Sequence, residues 1–447
     1  MKYGSPRAES ETARRNTPCA EAPHAPCGAL MPVFTLISAV IAVVALSGYA
    51  NHKLVHLPDS IGITAVALLL SVGTVTVGQF VPQVAAWGEQ VARGVDFPDL
   101  VFHGLLGLLL FAGSLHVDVV ALRRARWIVL LLATVGVLIS TAVIGWTFFY
   151  LTRLLGLPIT LRESLLFGAL ISPTDPIAAL GLLSRARVPP SLLTKITGEA
   201  LFNDGTGVVL FVILLGISAA HMPDTGHIAA LFARQVLGGM AFGALVGLGA
   251  VALLRTVESP SVEILITLAL ATAGYDAALA LGVSAPIATV VMGLAVGWHG
   301  RRYALAQPTR ERLFQFWQLT DDLLNLLLFG LVGLQLTALA GTVREYLIPA
   351  ALALPLVLVA RYVSVGLPTT LLRRFARLEP RFEPHFVKLM TWAGLRGALS
   401  VALALSLPAG PARALIVTAT YLIALFSILV QATTVGPLAR RWLGESR

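Results

Sequence analysis

The chain has 447 residues, of which 57% are hydrophobic and only 12% charged, and its mean hydropathy is +0.83. That balance excludes a soluble globular domain and points to a polytopic protein whose solvent is the lipid bilayer. The formal net charge is +9, but no aromatic-interleaved basic groove accompanies it, so nucleic acid is not expected as a partner.

Residues 1–31 are polar, rich in Pro and Ala, and lack the basic-then-apolar build of a signal peptide, and a disordered tail is expected there. Both cysteines, Cys19 and Cys27, fall in it, so neither a disulfide framework nor a cysteine metal site is expected in the folded part. From Pro32 onward, apolar segments of about 17 to 28 residues recur between short polar joints, each long enough to cross a hydrocarbon core of roughly 30 Å as a helix. Thirteen are predicted, at about 33–48, 59–81, 100–115, 126–151, 162–185, 194–219, 228–254, 261–280, 283–299, 314–340, 346–372, 384–407 and 411–438. The expected fold is all-α, with one transmembrane domain over 32–440 and a short tail at 441–447.

The basic residues are unevenly shared among the joints. Those after odd-numbered segments hold Lys53, Arg123, Arg124, Arg126, Arg185, Arg187, Arg255, Arg301, Arg302, Arg310, Arg312, Arg373, Arg374, Arg377 and Arg381, and Arg440, Arg441 and Arg447 follow the last segment. Even-numbered joints hold about six, so the positive-inside rule puts the C-terminus in the cytoplasm and, with an odd count, the N-terminus outside.

In the fifth segment, ISPTDPIAAL (Ile171 to Leu180) sets Thr174 and Asp175 between Pro173 and Pro176. Proline has no amide proton and clashes with the preceding turn, so two of them three apart predict a broken helix. The break frees carbonyls beside the Thr174 hydroxyl and the Asp175 carboxylate, and is tolerated in a membrane only within protein or beside a watery cavity.

The sixth segment opens with GEALFNDGTGVVLF, Gly198 to Phe211, which carries Glu199, Asn203 and Asp204 through an otherwise apolar run. A charge at mid-membrane costs roughly 2.5–3.5 kcal/mol on the insertion scale, so an ion or proton pathway is the default reading. Glu199 and Asn203 share a helix face, while Asp204 is turned by about 100°. The two acids therefore need not do the same work. One can be held in an ion pair while the other faces a cavity, and Gly198, Gly205 and Gly207 permit close approach of neighbouring helices.

The third constellation is basic. Arg361, in VLVARYVSVGLP of the eleventh segment, and Arg396, in WAGLRGALSVALALSLP of the twelfth, stand within apolar runs. Either charge buried alone costs several kcal/mol, and Glu199 is the candidate partner for Arg361. Arg396 lies between Gly394 and Gly397, a second expected break, where its charge offsets the carbonyl ends freed at the first. The two breaks are seven segments apart. An odd offset makes them face opposite ways, as two inverted six-helix repeats about a linking seventh helix require, and discontinuous helices from each repeat beside an ion site are a transporter signature.

Taken together, LLLFAGSLHVDVVALR, PTDP, GEALFNDGTGVVLF, ARYVSV and GLRGALSVALAL resemble, in order and spacing, the monovalent cation/proton antiporters, specifically the NhaP-like prokaryotic sodium/proton antiporters related to the eukaryotic sodium/proton exchangers. The likeness spans roughly Phe102 to Leu438. It implies that Asp204 carries cation and proton in turn, with Asn203 as its stabilising neighbour. It also implies that Thr174 and Asp175 belong to the unwound crossing that contributes ligands, that Glu199 pairs with Arg361, and that Arg396 sits on the second crossing helix. The Asn-Asp pair looks like the electroneutral branch, exchanging one cation for one proton. The resemblance further implies a homodimer in the plasma (inner) membrane, with core helices at about 126–219 and 346–438, no cofactor, and Na⁺ and H⁺ as cargo. Family members commonly have Ser after the glutamate; Ala200 stands there, so Li⁺ and K⁺ stay open beside Na⁺.

Other polar residues are weaker candidates. Asp276 and Glu263 read as interface or packing residues, Asp321 and Asp322 as surface-proximal, and Asn325 with them. His103 and His116 read as solvated or satisfied histidines, and Trp298, Trp317 and Trp392 as interfacial or packed aromatics. An intramembrane enzyme built on Asp276 and Asp204 lacks any GxGD, GxSxG or HExxH companion. A passive channel would need rings of ligands contributed symmetrically.

Overall fold

The computed structural model describes residues 33–443 apart from 95, 176, 187, 218–224, 305–306, 376–381 and 384. The expected tail at 1–31, Pro176, Arg187, Arg377, Arg381 and the last four residues lie outside the described residues.

The described chain is helical almost throughout. Helix α1 (Val33–Ala50) runs through a π-helical turn at Asn51–Val55, and α2 (Asp59–Gly78) returns beside it. The reversal is pinned by buried Asn51, whose side chain donates to Leu57 O at 2.9 Å and accepts from Leu57 N at 3.2 Å. Residues 82–94, read from the sequence as a joint, form an amphipathic helix, α3 (Pro82–Gly94), packed on α2. The third span comprises α4 (Phe97–Asp99), π-helical Leu100–Leu105 and α5 (Leu106–Leu115).

Asp118 caps α6 (Val119–Leu131) by accepting from Val120 N and Ala121 N, and α6 continues through π-helical Leu132–Gly136 into α7 (Val137–Leu154). Arg123, Arg124 and Arg126, expected in a joint, are therefore exposed residues of the first turns of a helix, because the Asp118 cap starts it earlier than hydropathy alone suggests. A capping box between Thr160 and Glu163 starts α8 (Leu161–Ile171), which stops at Ser172 and resumes as α9 (Ile177–Arg185).

Next come α10 (Pro190–Gly216), α11 (Thr225–Leu254), α12 (Pro260–Ala271), α13 (Ala273–Ala280), α14 (Ala285–Ala295) with π-helical Val296–Ala304, and α15 (Gln307–Leu334). The tenth segment, expected to run to 340, ends at Leu334. The expected joint at 341–345 lies inside α16 (Leu336–Phe375), which bends at Tyr346 (φ −106°, ψ 16°), three residues before Pro349. The chain finishes with α17 (Phe386–Ala393), α18 (Ala398–Leu405), α19 (Pro411–Phe426), π-helical Ser427–Gln431 and α20 (Ala432–Leu443).

Among the described residues nine helices are long and apolar enough to cross a membrane. The other predicted segments coincide with the shorter apolar helix Ala285–Gly300, with α15, and with the interrupted pairs α8/α9 and α17/α18. Outward faces are apolar, with Leu46, Leu69, Leu245 and Val359 exposed, as lipid contact requires. Buried hydroxyls bond back to their own helices, as Ser47 does to Val43 O and Thr420 to Ile416 O, so few polar groups need an external partner. One apolar cluster joins α7, α8, α10 and α16–α20, and a second gathers Phe111, Leu270, Tyr275, Met292 and Trp317 from α5 and α12–α15. The interrupted pairs meet in the first of these, where the site lies.

Candidate functional site

The two interruptions are made by different chemistry and meet each other. Pro173 has no amide proton to continue α8, whereas the second gap opens at Gly394 (φ −76°, ψ 69°) and closes at Gly397 (φ −109°, ψ −166°). Asp175 N donates to Leu395 O at 2.9 Å, an antiparallel bridge between the two extended stretches. Gly397 is required by this crossing: a Cβ there would lie 2.3 Å from Asp175 Oδ2. Helix α10 passes equally close, since a Cβ at Gly207 would meet Pro173 Cγ at 2.3 Å.

Backbone groups orphaned by the breaks are taken up by side chains. Asn203, fully buried on α10, accepts from Thr174 N at 3.3 Å and donates through Nδ2 to Thr174 Oγ1 at 2.8 Å. Arg396, also buried, donates through Nη1 to Ser172 O and, at 2.8 Å, to Pro173 O. Those carbonyls end α8, where a helix presents partial negative charge, so a guanidinium there satisfies both hydrogen bonding and the dipole. The Ser172 hydroxyl is tied to Gly168 O and to Ser140 Oγ, anchoring the break to α7.

Glu199 and Arg361 form a bidentate pair, Nη1–Oε1 at 2.5 Å and Nη2–Oε2 at 2.7 Å, with both side chains buried. Arg361 Nη2 also donates to Met390 O at 3.4 Å, linking α10, α16 and α17. A Cβ at Gly394 would lie 2.6 Å from Arg361 Nε, so this glycine makes room for the guanidinium.

Asp204 faces elsewhere. It is half-buried and lines a cavity of about 1610 Å³ together with Pro173, Asp175, Ala200 and Gly397. The same cavity reaches Asp118, Arg123 and Arg124, which are exposed, so Asp204 communicates with one surface of the protein. The structure thus brings Asp204, Asp175, Thr174 and Asn203 to the crossing and sets Glu199 with Arg361 behind it. Among the described residues no group of three or more His, Cys, Asp or Glu is arranged to hold a metal ion. A cation at Asp204 would draw on one or two carboxylates and on neutral oxygens. Ala200 lines the cavity and offers none from its side chain.

The weaker candidates of the sequence reading fall in different places. Asp321, Asp322 and Asn325, taken as surface or packing residues, line the cavity that Asp204 lines. Asp276 is exposed on α13 and is not among the cavity's wall residues, so it forms no acid pair with Asp204 there. Glu263 is fully buried, as is Trp317, whose Nε1 donates to Thr267 Oγ1 at 2.9 Å. His103 is exposed with Nδ1 2.9 Å from Asp99 Oδ1, while His116 places its two ring nitrogens near Ala112 O and Phe314 O. The sequence reading missed Lys195. Its ammonium lies 2.8 Å from Glu383 Oε2 and over the rings of Phe382 and Phe386, tying the start of α10 to the segment before α17. The available signal was a lysine inside the sixth segment's leading turn, four residues before Glu199 and on its face.

Comparison with known proteins agrees with this architecture. The family described as sodium/hydrogen exchanger, transmembrane, matches residues 39–441. The chain is 45% identical over 411 residues to the Na(+)/H(+) antiporter NhaP of Pseudomonas aeruginosa, covering 91% of this chain and 96% of that protein. It is 30% identical over 414 residues to the Na(+)/H(+) antiporter NhaH of Halobacillus dabanensis, covering 92% and 98%. The solved structure of the sodium proton antiporter MjNhaP1 from Methanocaldococcus jannaschii superposes with a TM-score of 0.69 at 19% identity, over 92% of this chain and 99% of that one. The paired helix breaks, the carboxylate in the cavity and these matches together place the chain in the sodium/hydrogen exchanger family.

Proposed function

We propose that the protein is a secondary antiporter that exchanges Na⁺ for H⁺ across the plasma (inner) membrane by alternating access, with Asp204 as the shared carrier. The observation that carries this reading is the position of Asp204, on the wall of a cavity open to one surface and beside the crossing of two interrupted helices. Its helix neighbour Glu199 is committed to Arg361. Asp175 and Thr174 supply further oxygens at the crossing, and Asn203 holds Thr174 in place.

The cycle is competition for one carboxylate. A cation binds the ionised Asp204, the core swings, the cation leaves, and a proton takes its place before the core returns. One positive charge moves each way, so the exchange is electroneutral. The cavity opens beside Arg123, Arg124 and the Lys195 end of α10, the face that the distribution of basic residues assigns to the cytoplasm. This conformation is therefore read as inward-facing, with the N-terminus outside and the C-terminus in the cytoplasm. Helices from about 126–219 and 346–438 form the moving core, and the remainder forms the scaffold of a homodimer. Li⁺ and K⁺ are the alternative cargoes, because the hydroxyl that commonly follows the glutamate is absent at Ala200.

The test is cation-driven proton movement in proteoliposomes, comparing Na⁺, Li⁺ and K⁺ with and without a clamped membrane potential. Exchange that is insensitive to potential and lost in Asp204→Asn is expected. Full exchange in a folded Asp204→Asn protein overturns the mechanism, and current without obligatory exchange would mark a channel.

A further inference from the structure

Helix α15 presents a polar stripe to the cavity that the exchange at Asp204 does not use. Gln318, Asp321 and Asn325 are spaced three and four residues apart, one face of a helix, and all three line the cavity. Asp321 is half-buried, and Asp322 and Asp175 line the same cavity.

Asn325 supplies an independent observation. It is 3% exposed, and its amide is fixed by Nδ2, which donates to Asp321 O at 2.8 Å and to Asp321 Oδ1 at 3.0 Å. The oxygen end, Oδ1, is buried and accepts no hydrogen bond. A buried amide oxygen without a donor is unfavourable and calls for an explanation. The lysine that lines the cavity does not supply the donor, because Lys195 is held by Glu383. An alkali cation does satisfy such an oxygen, since amide and carboxylate oxygens replace water around ions of this class.

We propose that Asp321 and Asn325 form a second site for a monovalent alkali cation, in the wall of the cavity and on a different helix from Asp204 and Asp175. The carboxylate of Asp321 provides the charge and Asn325 Oδ1 a neutral ligand, with water completing the shell. The cation rests there on its way between the open surface and Asp204. The site raises the local cation concentration at the carrier. This inference rests on the antiport reading, which it deepens by giving the transported ion a second station.

Two measurements test it. In proteoliposomes, Asp321→Asn should raise the KM for Na⁺ by about tenfold, the lower end of what a charged cleft contributes to local ion concentration, with a smaller effect on the maximal rate. Asn325→Leu should shift KM in the same direction. The second measurement is independent of turnover: binding of radioactive Na⁺ to purified protein, with thermal melting of each variant as the check on folding. Asp204→Asn should retain weak Na⁺ binding, and Asp204→Asn/Asp321→Asn should lose it. An unchanged KM in folded Asp321→Asn and Asn325→Leu overturns the site, as does residual binding that is absent in Asp204→Asn or indifferent to Asp321. Exchange that persists in Asp204→Asn is a different failure: it removes the carrier mechanism, while the binding comparison still judges Asp321.

Discussion

Helix α10 carries two carboxylates five residues apart whose surroundings differ completely. Glu199 is sealed against Arg361 by two charge-assisted hydrogen bonds, while Asp204 stands half-buried on a cavity wall open to one surface. The same chemical group is thus architecture at one position and an exchangeable site at the other, and the difference comes from what each side of the helix packs against. The two glycines of the second break divide along the same line: Gly394 lies against Arg361 on the sealed side, and Gly397 lies against Asp175 on the cavity side.

The sharpest way to break this comparison is to neutralise each acid. Asp204→Asn should abolish exchange while leaving stability within about 1 kcal/mol of the wild type, since no buried pair is lost; proton flux and thermal unfolding in detergent check the two halves. Glu199→Gln or Arg361→Ala should do the opposite, costing about 3–5 kcal/mol because each strands a buried charge. Replacing both partners by neutral residues should be less damaging than either single change, and equal loss in the double variant would show that the pair does more than balance charge.

The glycines sharpen the same contrast. Gly394→Ala drives a methyl group against Arg361 and should cost about 1–3 kcal/mol by overpacking, seen as a lowered unfolding temperature. Gly397→Ala displaces the Asp175 side chain and should appear mainly as slowed exchange. The smallest effect is expected at Thr174. Thr174→Val removes the hydroxyl that accepts from Asn203 and should cost about 1 kcal/mol with a raised KM for the cation, both restored in Thr174→Ser.

Much of this arrangement was legible in the sequence because charge in an apolar run has few physical solutions. Glu199, Arg361 and Arg396 each demanded a partner, and prolines at 173 and 176 or glycines at 394 and 397 predicted where helices stop. The partners named for Arg361 and Arg396 rested on charge balance and resemblance, since no local signal marks them. Arg361 lies 162 residues from Glu199 and Arg396 lies 223 from Pro173, so only the folded chain joins them. Lys195 escapes the sequence reading, and Asp321 and Asn325 rank only as weak candidates in it, for the same reason. Lys195 sits near the start of α10 and Asp321 and Asn325 midway along α15, and nothing local reveals that a cavity or an ion pair reaches them.

By itself, the sequence determined that the chain is a helical membrane protein, roughly where its spans begin and end, and that Asp204 sits in an apolar setting that ordinary packing does not explain. Those conclusions follow from transfer energies and helical periodicity, which act locally. Tertiary structure decided that the two breaks cross in an antiparallel bridge and that Asp204 and Asp321 share one cavity. These depend on which faces of distant helices pack together, a property of the whole assembly that no window of the chain encodes.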